Sequence, residues 1–261
     1  ARSYAALNVC IVGLHPARRM MGAADAPVVL YLHGLGIAGW CWEPVAEALP
    51  DFAALMPDFP GHGGSASVPW VSIADTAASM GALVDTLPVD RPVHVTGHSL
   101  GAYVGAVLIA SRPQRFRSAV LSGFHVGEIG SKVLLKLAYA ANGLVFRVPP
   151  LLRRFARMFG EGAAAQRFIE GARLIGAGTI RRAGMQVVDF QSPFGPGGLR
   201  IPTLAIAADG EPGAIRTTPA ALEREFDSVR GVLLEGRDHL WPIKEPALYA
   251  DLLGTHIRAH P

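Results

Sequence analysis

The chain has 261 residues, half of them hydrophobic, with 24 Lys and Arg against 21 Asp and Glu and a formal net charge of +3. That length suits one large α/β domain with a sizeable core, and no apolar run reaches the roughly 18 residues of a membrane span. Two cysteines, Cys10 and Cys41, make neither a disulfide framework nor a zinc-ligand set, and no nucleic-acid partner is expected.

Residues 8–12 read as a strand, followed by a turn about residues 22–25. Residues 28–32 are wholly apolar, as in a central parallel strand covered on both faces. Helix is predicted over 40–49, strand over 53–56, helix over 73–87, and strands over 93–96 and 119–121. This alternation predicts an α/β fold, a mostly parallel sheet flanked by helices.

From residue 124 to 199 the pattern is helical only, broken at Asn142-Gly143, Pro149-Pro150 and Gly160. Strands resume over 203–207 and 232–234, with helices over 219–226 and 245–257. The expected organisation is a first core part over 1–123, a helical cap over 124–199 inserted between two late strands, and a second core part over 200–261. Gly195-Pro196-Gly197-Gly198 reads as the hinge out of the cap.

Charge is uneven along the chain: residues 124–200 hold eleven Lys and Arg against four Asp and Glu. The helix opening at Pro149 places Leu151, Leu152, Phe155, Met158 and Phe159 on one face and Arg153, Arg154 and Arg157 on the other. It reads as a cap helix burying its apolar face over a pocket, with solvated arginines. Two sharper readings stay open: contact with a membrane surface, or docking of an acidic carrier. A hydrophobic acyl or alkyl group is the default substrate portion.

The most informative motif is Gly97-His98-Ser99-Leu100-Gly101, between the 93–96 strand and a small-residue helical run (Ala102, Gly105, Ala106, Ala110). A serine between glycines at a strand-to-helix junction resembles the nucleophile elbow of the α/β-hydrolases. The sharp turn lifts the serine oxygen above the sheet and sets the next N–H at a helix N-terminus. An unassisted serine hydroxyl is a poor nucleophile, so a base must take its proton.

The resemblance to the α/β-hydrolase family runs from about Val28 to the C-terminus, the cap excepted. It implies that Ser99 is the nucleophile and that His239, in Gly236-Arg237-Asp238-His239, is the base, with His125 and His62 as competitors. The loop His33-Gly34-Leu35-Gly36 implies an oxyanion hole made by the N–H groups of Leu35 and Leu100. His33, Gly34, His98 and His125 are pocket candidates. The loop of residues 58–65, similar to the family's D-x-P-G-H-G, implies a structural role for Asp58. The acid that orients His239 follows the penultimate strand. Adjacency to the strand end and carboxylate type favour Asp209; the family's spacing favours Glu211, and Glu128 is a third candidate.

The resemblance implies a capped, cofactor-independent serine hydrolase of carboxylic esters, lactones or thioesters with a hydrophobic acyl part. No metal or nucleotide motif such as H-E-x-x-H, G-x-G-x-x-G or G-x-x-x-x-G-K-[ST] is present. Alternatives on the same fold are C–C bond hydrolysis, cofactor-free haloperoxidase or lyase chemistry, and a non-catalytic ligand receptor. A serine at the elbow disfavours epoxide hydrolase relatives, whose nucleophile is aspartate. The first residues lack the charged and apolar segments of a signal peptide, so a cytoplasmic location is expected, with upstream processing left open.

Overall fold

The computed structural model describes residues 7–8, 18–23, 25–127, 129–145, 148–159, 162–195 and 197–261. The strands are β1 (Leu7–Asn8), β2 (Arg18–Met21), β3 (Val28–Leu32), β4 (Ala53–Pro57), β5 (Val93–His98), β6 (Ser118–Ser122), β7 (Thr203–Ala208) and β8 (Val229–Leu234). They form one sheet in the order β1-β2-β4-β3-β5-β6-β7-β8. β1 and β2 are antiparallel, and from β4 to β8 every neighbouring pair is parallel. Of the strand expected over 8–12, Asn8 falls in β1 and the rest lies outside the described residues.

The helices are α1 (Glu43–Glu47), α2 (Ile73–Val84), α3 (Leu100–Ser111), α4 (Lys132–Val145), α5 (Pro149–Ala156), α6 (Ala163–Leu174), α7 (Ala177–Val188), α8 (Gly213–Glu225), α9 (Trp241–Lys244) and α10 (Pro246–Arg258). α4 to α7 all fall between β6 and β7, as the inserted cap requires. α2 begins at Ser72, whose hydroxyl accepts the Asp75 N–H at 3.0 Å and so satisfies one donor of the first turn. α8 starts six residues earlier than expected. Pro219 lies inside it, buried, with its carbonyl against Gly231 of β8, where an added Cβ would come within 2.7 Å. Packing on β8 outweighs the lost N–H of a mid-helix proline.

The sheet has apolar residues on both faces because it is covered on both. In β3 every residue is buried. Alternation sends Val28, Leu30 and Leu32 into the core beneath α2, α3 and α8, and Val29 and Tyr31 into that beneath α1 and α10. Each such aliphatic side chain contributes about 1.5–3 kcal/mol on burial. The loops that follow β3, β5, β7 and β8 open at the carboxyl edge of the parallel strands, where open α/β sheets form their binding crevice.

Candidate active site

Ser99 lies between β5 and α3 with φ 54° and ψ −122°. Among the described residues no other non-glycine has a positive φ, and such strain costs on the order of 1–3 kcal/mol. It is held by hydrogen bonds on both sides: the Ser99 N–H donates to the Ser122 carbonyl at 2.9 Å, and its own carbonyl accepts the Ala102 N–H at 2.8 Å. The flanking glycines answer to close approach. A Cβ on Gly97 would lie 2.4 Å from the Gly101 carbonyl oxygen, and one on Gly101 would lie 2.0 Å from that of Leu32. No larger residue fits without opening the elbow.

His239, in the loop between β8 and α9, brings Nε2 to 3.0 Å from Ser99 Oγ. Its Nδ1 lies 2.5 Å from Glu211 Oε1, and Glu211 Oε2 accepts the Ala208 N–H at 2.7 Å. Glu211 is buried at 4% exposure. With Nδ1–H donated to that carboxylate, the Nε2 lone pair faces the serine hydroxyl, the tautomer a general base needs.

The expectation that Asp209 faces this imidazole is corrected by the geometry. Its carboxylate turns to the β8–α9 loop and accepts the N–H groups of Gly236 at 2.9 Å and Arg237 at 3.2 Å. Those bonds, Gly236 first, hold its carboxyl below the usual range. Glu211 reaches the ring because the chain folds back after β7: its N–H returns to the Ala208 carbonyl at 3.2 Å. Asp238 points away to Lys244 and the Leu240 N–H. Glu128 lies outside the described residues.

His33 is fully buried, and it fixes a loop. Its Nε2 accepts the Phe59 N–H at 2.9 Å and its Nδ1 donates to the Gly34 carbonyl at 2.8 Å. Burial pushes its pKa down to about 4, so the ring is neutral. Gly34 and Leu35 then line the cavity beside Ser99, and Leu100, the first residue of α3, has an N–H beyond reach of any intrahelical acceptor. Asp58 ties the next loop down, accepting the N–H groups of Gly39 at 2.7 Å and Gly64 at 2.8 Å. His62, a competitor for the base, is buried against His33 and Trp70, with burial pushing its pKa down to about 3. His98 lies with its ring tilted, 4.6 Å from the His239 ring, and meets Ser122 Oγ at 2.9 Å; burial holds it well below the usual histidine range. His125, the other competitor, has its ring nitrogens on the carbonyls of Gly127 and Val187.

Two cavities meet at Ser99 and His239. One of about 230 Å³ runs past Leu35, Phe155, Phe159 and Ile180; one of about 400 Å³ runs past Tyr103, His125, Leu135 and Ile215. Tyr139 of α4 lines both. Its ring is seated on Gly184 of α7, where a Cβ would lie 2.3 Å from it. Among the described residues no Lys, Arg, Asp or Glu lines either cavity. Ile180 and Val187 were not anticipated as lining residues; the signal was present, in the spacing of Ile180, Gly184 and Val187 along one helix face.

Residues 29–252 match the profile of the Alpha/beta hydrolase family. The chain belongs to the α/β-hydrolase family. Within it, the chain is 37% identical over 124 residues to Lipase LipV of Mycobacterium tuberculosis, a match spanning 47% of this chain and 46% of that protein. It is 26% identical over 238 residues to an AB hydrolase superfamily protein of Gibberella zeae, covering 86% of this chain and 78% of that one. Among solved α/β-hydrolase structures, a hydrolase from Pseudomonas aeruginosa superposes with a TM-score of 0.77 at 22% identity, covering 92% of this chain and 93% of that one. A laboratory-evolved potato epoxide hydrolase superposes with a TM-score of 0.76 at 17% identity, covering 99% and 100%. The shared fold thus spans different hydrolase chemistries.

Proposed function

We propose that this α/β-hydrolase is a serine hydrolase of neutral carboxylic esters with apolar groups on both sides of the scissile bond. The observation that carries the reading is the line from Ser99 Oγ through His239 to the buried Glu211 carboxylate. His239 takes the hydroxyl proton as Ser99 attacks the carbonyl carbon. The N–H groups of Leu35 and Leu100 hold the oxyanion of the tetrahedral intermediate. His239 passes its proton to the departing alkoxide, leaving an acyl group on Ser99. A water activated by the same imidazole then releases the acid. Glu211 orients the ring and stabilises the imidazolium that forms between these steps.

The substrate class rests on the cavities. Among the described residues the lining carries no Lys, Arg, Asp or Glu, so a carboxylate or phosphate buried against them would go unpaired, at a cost of several kcal/mol. That argues against a carboxylate such as the one named in a Salmonella 2-succinyl-6-hydroxy-2,4-cyclohexadiene-1-carboxylate synthase, 32% identical to this chain over 113 residues. Two apolar limbs meeting at the serine suit an ester whose acyl and alcohol parts are both hydrophobic.

The test is a panel of neutral esters of graded chain length beside the matching thioesters, lactones, an anionic ester and an aryl epoxide. Ester turnover should exceed epoxide turnover, and the anionic ester should be the poorest of the esters. Preferential epoxide opening, or preference for the anionic ester, would overturn the reading.

A further inference from the structure

α5 and the turn after it carry two apolar stripes where one was expected to suffice. Leu152, Ala156 and Phe159 are buried against the fold. Leu151, Phe155 and Met158, spaced the same way one residue earlier, are 44%, 37% and 44% exposed. The expectation that all five large apolar residues of this helix bury together is therefore corrected: Leu151 and Met158 face out, while Phe155, partly exposed, keeps its ring against Phe159 and Phe168. Arg153, Arg154 and Arg157 occupy the remaining surface, exposed, and make no ion pair among the described residues.

This is not an isolated lapse of burial. Of the thirteen large hydrophobic side chains exposed among the described residues, nine lie between β6 and β7. Val133, Leu134 and Leu137 of α4 are each more than 60% exposed. The exposed set borders the active-site cavities, because Phe155 also lines the smaller one and Leu135 the larger. Exposed apolar side chains gathered on one inserted segment mark an interaction site in a folded protein.

We propose that this face docks on an anionic lipid surface, α5 and the turn after it lying along the interface with Leu151 and Met158 dipped among the acyl chains. Charge complementarity selects the occupant. Unpaired arginines beside an outward apolar stripe are the pattern of an interfacial helix, whose long cationic side chains reach back to the headgroups. A second copy of this chain would bring the same arginines against each other, a like-charge contact. A folded acidic protein would need a shaped apolar counterpart to two separate helices, whereas lipid conforms to any relief. Docking here would set both cavity mouths at the surface where hydrophobic esters partition.

Flotation with vesicles tests this without turnover, so its outcome is independent of the ester reading. The protein should bind phosphatidylcholine vesicles containing phosphatidylglycerol, bind pure phosphatidylcholine far less, and detach as ionic strength rises. Each arginine at an anionic surface is worth about fivefold in affinity, so Arg153→Gln, Arg154→Gln and Arg157→Gln together should weaken binding about a hundredfold. Leu151→Asn with Met158→Asn should weaken it roughly tenfold or more, because apolar insertion is lost. Both variants should keep the far-ultraviolet circular dichroism and the soluble-ester turnover of the parent. Absence of binding to the anionic vesicles would overturn the proposal. So would parent-like binding by either variant, or capture by soluble polyglutamate in preference to vesicles.

Discussion

Glu211 gives one carboxylate oxygen to His239 Nδ1 at 2.5 Å and the other to the backbone N–H of Ala208 at 2.7 Å. The imidazole is thereby pinned to the end of β7 by a side chain that itself cannot swing. Asp209, two residues earlier, clamps the loop that carries His239 instead. The two carboxylates therefore have separable effects. Glu211→Gln should keep the fold and lower kcat by roughly three to four orders of magnitude, by removing the charge that orients the ring and selects its tautomer. Asp209→Asn should leave kcat within severalfold and lower the melting temperature slightly. Steady-state kinetics and thermal melts on both variants check this; the reverse ranking would make Asp209 the orienting acid.

Acid should destabilise the protein through its buried histidines. His33 has its pKa pushed down to about 4, against about 6.5 when unfolded. The unfolded chain binds that proton first, so the stability tied to neutral His33 is fully present above about pH 6.5. It drains away as pH falls toward 4, by about 3 kcal/mol in total. His62 and His94, pushed down to about 3 and about 4, act in the same sense. Urea unfolding across this range should show the decline. His33→Gln, whose amide oxygen can still accept the Phe59 N–H, should flatten it by up to about one proton. An unchanged slope in that variant would mean that His33 does not titrate with folding.

Tyr139 should set which limbs a substrate can have, because its ring lines both cavities and rests on Gly184. Tyr139→Ala should join the two spaces and shift kcat/KM toward bulky or branched esters by roughly tenfold. Gly184→Ala should act oppositely: an added Cβ 2.3 Å from the ring forces Tyr139 toward the cavities. Short esters should then be favoured. If both variants keep the parental ranking of an acyl-length series, Tyr139 is not the divider.

Most of the fold was legible because burial imposes pattern. Val28–Leu32 reads as a central strand since it is covered on both sides, and the helical run from residue 124 to 199 announced the insertion between β6 and β7. The pairing of Ser99 with His239 was legible through the resemblance, whose motifs Gly97-His98-Ser99-Leu100-Gly101 and Gly236-Arg237-Asp238-His239 implied nucleophile and base. The acid was not. Adjacency to β7 favoured Asp209 and the family's spacing favoured Glu211; the turn that brings Glu211 back to Ala208 decides between them, and one sequence does not display that backbone geometry. Pro219 misled for a related reason, since packing against Gly231 overrides a local preference. The five apolar residues of α5 and the turn after it share a helical half, yet periodicity alone cannot say that only part of that half meets the core.

A covalent acyl-enzyme on Ser99 is central to the proposed chemistry, and intact-protein mass spectrometry after treatment with a fluorophosphonate probe reads the nucleophile directly. One adduct per chain is expected, mapping to the peptide that contains Ser99. It should be lost in Ser99→Ala and form far more slowly in His239→Ala. Ester hydrolysis should fall by roughly three orders of magnitude or more in either variant. Parental turnover by Ser99→Ala, or an adduct that maps to another residue, would contradict it.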